Sequence, residues 1–266
     1  MITLRKGLIM STNWTEVITP GRFDGQNVVV TGAGSGIGLA TALRVAKEGG
    51  RVVAVGMNKE RLDQGVADHP DLEIVPIVAN ITDASDISKI TEAAGDVLDA
   101  LVNNAGIMDG FEPLGEVKDD VWDRVIAVNL TGMMKVTRAL LPALLRSENG
   151  AVVNLSSEAG LRGSAAGAAY TASKHGVIGL TRSGAFAYPK TGVRFNAVAP
   201  GGVETNIEAN FNTELGFERF KEVVMPLQLP MASAAQLAAS ITWLASRDST
   251  NVNGVVVASD GGWHAW

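Results

Sequence analysis

The stretch Val28-Val29-Val30-Thr31-Gly32-Ala33-Gly34-Ser35-Gly36-Ile37-Gly38 decides the fold. Three consecutive valines read as a buried strand, and the glycines that follow stop it from continuing. Leu39 to Glu48 then reads as a helix that ends at Gly49-Gly50, and a second apolar run follows at Val52-Val53-Ala54-Val55. Strand, glycine turn, helix, strand is the repeating unit of a parallel sheet with crossover helices.

Outward from this unit the alternation continues. Glu73–Val78, Ala100–Val102, Ala151–Leu155, Val193–Val198 and Val255–Ala258 read as further buried strands, and helical segments near 83–94, 118–146, 170–188 and 233–246 separate them. With no linker-like tract and no repeat, the pattern predicts an α/β fold of one domain: a doubly wound, Rossmann-like parallel sheet of about seven strands. Residues 1–24 read as an N-terminal extension, with Met10 as an alternative start, and 25–266 as the domain. In such a sheet a ligand binds beyond the carboxyl ends of the strands.

Composition narrows the function. Hydrophobic residues make up 46% of the 266 and charged residues 19%, enough for a sizeable core and unlike a disordered chain. The absence of cysteine excludes disulfides, thiol nucleophiles and Cys-ligated metals, and His69, His175 and His264 are too dispersed for a metal site, so none is expected. A net charge of −6 without a long basic run argues against nucleic acid and acidic membranes as partners. Gly7–Met10 is far shorter than the roughly 7–15 apolar residues of a secretory core. The uncharged stretch Val223–Ser246 is broken by Pro226, Gln228, Pro230 and Ser233, and reads as a loop followed by a partly buried helix. A cytoplasmic protein is expected.

The strand ends carry the chemistry. After the first strand, Gly32 permits a tight turn, Gly36 lets backbone N–H groups approach a pyrophosphate, and Gly38 allows close helix-on-sheet packing; Ser35 and Ile37 lie in the same turn. Alone, this reads equally well as a plain strand–helix turn. The second strand ends at Gly56-Met57-Asn58, where an acid would read the 2′-hydroxyl of NAD. Its absence favours NADP(H) over NAD(H), with Asn58 and Lys59 within reach of a 2′-phosphate, although Lys59 reads equally as a helix-start lysine. The third strand ends at Asn80-Ile81, facing an adenine edge, and the fourth at Asn103-Asn104-Ala105-Gly106, where small and amide residues admit a ligand or simply form a turn. The fifth ends at Ser156-Ser157. Tyr170 lies thirteen residues beyond Ser157, and Lys174 follows on the same helix face. A cation beside a phenol lowers its pKa from about 10, and a nearby hydroxyl can hold a carbonyl against it. Taken singly, Tyr-x-x-x-Lys is an ordinary helical pair.

Together, Thr31-Gly32-x-x-x-Gly36-x-Gly38, Asn103-Asn104-Ala105-Gly106, Val128-Asn129-Leu130, Ser157, Tyr170-x-x-x-Lys174, Pro200-Gly201 and Asp260-Gly261-Gly262 stand in one order and spacing. From about Gly25 to Gly262 the chain resembles the short, single-domain branch of the short-chain dehydrogenase/reductase family. The resemblance implies hydride transfer between nicotinamide and a carbonyl carbon, with Tyr170 as general acid or base, Ser157 on the substrate oxygen, and Lys174 holding the nicotinamide ribose and depressing the Tyr170 pKa. It implies that Asn129 orders a water beside Lys174. Asn104, Ala105 and Gly106 would line the adenosine ribose, Asn80 and Ile81 the adenine, and Pro200, Gly201, Val203 and Thr205 the carboxamide and pyrophosphate.

The departures are equally specific. Asn80 stands where members often carry aspartate, Gly56-Met57 lacks both the NAD-type acid and the NADP-type arginine, and Ser35 is not basic. Members that reduce carrier-protein substrates tend to carry an arginine and an acid where this chain has Ala185-Phe186-Ala187-Tyr188, which disfavours that partner. A lid at 205–230, rich in Phe211, Phe217 and Phe220, together with Leu161, Ser157 and Tyr170, suggests an apolar or alicyclic ketone or secondary alcohol as substrate, although lid aromatics equally read as packing on the protein itself. Arg162 reads as a solvated arginine or a binder of an acidic group, His175 as structural, and Trp122 and Trp243 as core. Trp263 and Trp266 at the terminus suggest a covered interface and a homotetramer. The rival readings are a 3-oxoacyl-[acyl-carrier-protein] reductase-like enzyme and a non-catalytic dinucleotide-binding module. A sugar-nucleotide epimerase would bring a larger C-terminal domain, and a methyltransferase would not need Tyr170 and Lys174.

Overall fold

Each strand run alternates its side chains between two buried faces, which is why the runs are continuously apolar. The computed structural model describes residues 14–205, 210–227 and 231–265. Its strands are β1 (Asn27–Thr31), β2 (Arg51–Gly56), β3 (Ile74–Val78), β4 (Ala100–Asn103), β5 (Ala151–Leu155), β6 (Arg194–Pro200), β7 (Val203–Glu204), β8 (Ala232–Ser233) and β9 (Val256–Ser259). The helices are α1 (Gly36–Lys47), α2 (Lys59–Ala67), α3 (Ala84–Ala94), α4 (Asp119–Ile126), α5 (Met133–Leu144), α6 (Ala168–Ala187), α7 (Glu214–Val223) and α8 (Ala234–Ala245). Seven strands form one all-parallel sheet in the order β3-β2-β1-β4-β5-β6-β9. The sheet is doubly wound and makes a single Rossmann-like domain, as the alternation predicts.

Val28 and Val30 point to the face covered by α1 and α8, where they meet Val45, Leu237, Ile241 and Leu244. Val29 points to the opposite face, with Ile87 and Ile90 of α3 and Val136, Leu140 and Leu144 of α5. The strand order reverses between β1 and β4, so the chain parts there at the carboxyl edge and leaves a crevice.

Several elements differ from the sequence reading. The single helix expected over 118–146 is α4 and α5 joined by a π-helical turn, Ala127–Gly132. Helix α7 was not anticipated, and α2 only through its first residue. Lys59 opens α2 as an exposed residue ion-paired with Asp63, and Asn58 caps that helix by accepting the Arg61 N–H at 2.8 Å, so the helix-start reading of Lys59 holds. β7 and β8 pair with each other outside the main sheet and pin the two ends of the lid together. Trp122 and Trp243 are 37% and 38% exposed rather than core. The inner faces of their helices are occupied by Val121 and Val125 in one case and Leu237, Ile241 and Leu244 in the other. Trp263, expected at an interface, is buried in its own chain.

The described part of the N-terminal segment, 14–24, is tied into the domain. Fully buried Glu48 at the end of α1 accepts from Thr19 N at 3.1 Å, Arg22 at 3.3 Å and Arg44 at 3.2 Å, and Phe23 lies in the core. Thr19, Arg22 and Phe23 therefore pack on the domain. Residues 1–13, and with them the Met10 reading, lie outside the described residues, as do 206–209 and 228–230 of the lid and Trp266. Among the described residues, no helix is long and apolar enough to cross a membrane.

Candidate active site

At the crevice, β1 and β4 are stitched together. Thr31 Oγ1 accepts the N–H groups of Asn104 at 3.0 Å and Ala105 at 3.2 Å, and Asn104 Nδ2 donates to the Thr31 and Gly32 carbonyls at 3.1 and 3.2 Å. Asn104 is thus a brace of the glycine turn, with both amide protons spent there. The approach is so close that a Cβ on Gly38 would lie 2.2 Å from the Gly32 carbonyl oxygen. Helix α1 begins after Ser35, whose side chain makes no capping bond, so the first N–H groups of the helix are left to face an anion. Thr205 stands over this end, 3.1 Å from where a Cβ on Gly36 would sit, and Ile37 packs inward. Pro200 ends β6, the Gly201 N–H reaches the Ser259 carbonyl, and Val203 packs on the core beside them. These features fit the pyrophosphate of a dinucleotide.

The adenine side is less as expected. Gly56 ends β2 and Met57 is exposed beyond it. Asn80 Oδ1 is occupied by Thr82, accepting from its N–H at 3.0 Å and its hydroxyl at 2.8 Å. The Ile81 side chain is buried in the core against Gly132, which leaves its backbone as the group for an adenine edge.

Ser157, Tyr170, Lys174, Asn129 and Gly106 converge at the carboxyl ends of β4 and β5. The half-buried Tyr170 places its phenol near Ser157, whose hydroxyl favours the phenolate. Lys174, 4% exposed, donates to the Leu155 carbonyl at 2.8 Å and lies 5.4 Å from the centre of the Tyr170 ring. Asn129, within the π-helical turn, accepts from Ile107 N at 2.8 Å and donates to Ile107 O at 2.9 Å and Ser173 Oγ at 3.2 Å. A Cβ on Gly106 would lie 3.5 Å from Lys174 Nζ, so glycine keeps the space beside the ammonium open.

The electrostatics correct one expectation. Burial pushes the Tyr170 phenol up to about 12; the Ser157 hydrogen bond pulls it down and the Asp109 carboxylate pushes it up further. Burial likewise pushes Lys174 down to about 8. The cation does not lower the phenol here. It lies over the ring face and is engaged by Leu155, and desolvation drives both groups towards their neutral forms.

On the substrate side, Leu161 is partly exposed just beyond the Ser157 turn, whereas Phe211 is stacked on Phe111 at 4.4 Å and meets Phe217 and Phe220 at 5.2 Å. A cavity of about 590 Å³ lies between the start of α6, α7 and the loop after β4, lined by Phe111, Pro113, Thr171, Leu215, Phe220 and Val223; neither Leu161 nor Phe211 lines it. Arg162 is neither solvated nor free for a ligand, being ion-paired with Glu158. Exposed His175 bonds the Thr171 carbonyl.

The sequence reading missed three residues. Asp109 is 1% exposed and bonds the backbone of α6. Glu158, beside Ser157, is buried, and burial raises its carboxyl pKa against the pull of Arg162. Arg61 of α2 lies alongside the glycine turn, its Cβ 3.6 Å from a Cβ placed on Gly34. Only Arg61 had a signal, as a cation shortly after the second strand.

A family model described as short chain dehydrogenase matches residues 26–216. The 3-oxoacyl-[acyl-carrier-protein] reductase FabG of Thermotoga maritima is 38% identical over 250 residues, covering 91% of this chain and 98% of that protein. A 3beta-hydroxysteroid dehydrogenase of Mediterraneibacter gnavus is 38% identical over 266 residues, covering 91% and 96%. Among solved structures, levodione reductase aligns with a TM-score of 0.82 at 33% identity, over 91% of this chain and 99% of that one. Similarity on this scale, running through both chains, makes this protein a member of the short-chain dehydrogenase/reductase family: oxidoreductases that bind a nicotinamide dinucleotide and act on CH–OH groups or the corresponding ketones.

Proposed function

We propose that this enzyme interconverts an apolar, alicyclic ketone and its secondary alcohol, with Tyr170 as the proton-transferring group. The observation that carries this reading is the convergence of Ser157 and Tyr170 with the buried Lys174, whose ammonium lies 5.4 Å from the centre of the Tyr170 ring. A nicotinamide dinucleotide, when bound, supplies or accepts the hydride. In reduction, Ser157 donates to the substrate oxygen as negative charge develops, and Tyr170 gives up its phenolic proton; in oxidation Tyr170 takes it back. Lys174 would hold the ribose, and Asn129, bonded to the Ile107 backbone, would order a water that relays protons to Lys174. The Mediterraneibacter gnavus relative is named for a hydroxysteroid, and the apolar lid suits a substrate of that class. The carrier-protein alternative has the Thermotoga maritima relative in its favour, but Phe186, 88% exposed, stands in the helix stretch where the resemblance leads one to expect an arginine and an acid.

We assign NADP(H) over NAD(H). No acid stands at Gly56-Met57, and the exposed Arg61 has no carboxylate partner among the described residues, so its guanidinium is available to a 2′-phosphate beside the glycine turn. Exposed Phe186, Trp122, Leu180 and Trp243 support a homotetramer.

Tyr170→Phe should abolish turnover of cyclic secondary alcohols such as cyclohexanol while leaving cofactor binding intact; parental turnover in this variant would overturn the assignment. In fluorescence titrations, NADPH should bind more tightly than NADH, and Arg61→Ala should weaken NADPH alone by on the order of tenfold. Light scattering should give four times the 27.7 kDa chain mass. Lys174 predicts a pH-dependent stability. With its folded pKa near 8 against an ordinary 10.5, the unfolded chain binds the proton more tightly. The cost of burying the ammonium is therefore full below pH 8 and fades as pH rises towards 10.5. After the lost Leu155 hydrogen bond is counted, Lys174→Met should stabilise the protein by about 1–2 kcal/mol at neutral pH. Urea unfolding at pH 7 and pH 10 checks this, since the gain should shrink at the higher pH.

A further inference from the structure

The helix that carries Tyr170 and Lys174 cannot cap itself. Its N-cap position is Gly167, which has no side chain, and Ala168 and Ala169 follow. The first N–H groups of a helix lack partners within it, and partial positive charge collects there. In α6 the acceptors arrive from the loop after β4. Asp109 Oδ2 accepts from Tyr170 N at 2.8 Å, Asp109 Oδ1 accepts from Gly167 N at 3.2 Å, and the Glu112 carbonyl accepts from Ala168 N at 2.9 Å. Asp109 is 1% exposed. A Cβ on Gly167 would lie 2.6 Å from Asp109 Oδ2 and 2.5 Å from Glu112 N, so any side chain at the cap position would drive the carboxylate out.

One of the bonded groups is the N–H of Tyr170 itself. The tyrosine is thus held by Asp109 at its backbone, while its phenol lies near Ser157. The turn that Asp109 organises is also the turn that the lid grips. Asp109 Oδ1 accepts from Phe111 N at 3.0 Å; Asn212 N donates to the Gly110 carbonyl at 3.0 Å, and Asn212 Nδ2 donates to Glu112 Oε1 at 2.9 Å. Phe111 sits at φ 58°, the only non-glycine residue with positive φ among those described. A bulky side chain is strained in that region. Stacking on Phe211 and an edge contact with Phe220 at 5.2 Å hold it there.

We propose that Asp109 is a positioning residue for Tyr170, and that the turn 109–112 transmits docking of the lid to that tyrosine. The inference rests on the reading of Tyr170 as the proton-transferring group. Asp109 touches no reacting atom; it fixes where the phenol stands, and its negative charge makes the phenolate harder to form. The charged groups around the phenol are this carboxylate at its backbone and Lys174 over its ring.

Because Tyr170 and Tyr188 are the only tyrosines, the Tyr188→Phe protein gives a direct ultraviolet titration of Tyr170. Adding Asp109→Asn should move tyrosinate formation to lower pH and cut kcat for cyclohexanol oxidation by about tenfold or more. Glu48→Gln is the control for a purely structural loss: it breaks a buried anchor at the opposite, amino-terminal edge of the sheet, and should lower stability without moving kcat or the titration. Asp109 variants that behave like Glu48→Gln would reduce Asp109 to a helix cap and overturn the inference, while a dead Tyr170→Phe would still uphold the assignment of the tyrosine. An active Tyr170→Phe would remove the reading and the inference together. Should the Asp109 variants fail to fold, Asn212→Ala decides, since it leaves the cap in place: a severalfold fall in kcat supports transmission through the turn, and an unchanged kcat overturns it.

Discussion

Where the strand order reverses, two halves of a sheet must be held close enough to act as one surface yet leave a crevice between their ends. Thr31 and Asn104 meet that constraint. A single threonine hydroxyl accepts two N–H groups from the end of β4, and a single amide returns two hydrogen bonds to the carbonyls of β1 and its turn. The turn then has so little room that α1 can pass only without a side chain at Gly38. Everything at the carboxyl edge inherits its position from this stitch: the N-terminus of α1, Gly106 beside Lys174, and Asn129 beneath Ile107. Thr31 is 1% exposed, and the low local dielectric around it strengthens these partly buried hydrogen bonds.

The site above the stitch is built against its own stability. A phenol and an ammonium are both taken out of water, and burial pushes each towards its neutral form. The protein tolerates this because the surrounding scaffold is heavily over-determined, with apolar residues filling both faces of a seven-stranded sheet. Strain at Phe111 follows the same logic, since a turn held from two sides can keep a backbone conformation that a free loop would relax.

Much of this was legible in the chain, and for definite reasons. Strands buried on both faces print themselves as unbroken apolar runs, so Val28–Val30, Val52–Val55 and Ala151–Leu155 could be placed within a residue or two. Ser157, Tyr170 and Lys174 could be brought together because strand ends converge in this topology and a spacing of four returns to the same helix face. What was hidden depends on contacts between distant segments. Asp109 looks like a turn residue until α6 is seen to lack a cap. Trp122 and Trp243 have apolar neighbours at helical spacing, but the burial goes to other residues of the same helices. Arg162 could not be paired with Glu158 from sequence, nor the lid ends with each other, and nothing in Leu130-Thr131-Gly132 announces a wider helical turn.

That wider turn sets the phase of two helices. Residues Ala127–Gly132 join α4 to α5 as one rod, yet the rod serves two different neighbours. Val121 and Val125 of α4 face Ala169 and Tyr170, forming a wall behind the site, while Val136, Leu140 and Leu144 of α5 face the sheet. An unbroken α-helix advances about 100° per residue and carries one stripe along its length. The extra backbone of the π-helical turn resets that angle midway, so a single rod bears two stripes with different aims. The wall behind the site and the structural core are therefore geared together: losing one residue in this turn would leave the helix hydrogen-bonded throughout but rotate one stripe away from its partner.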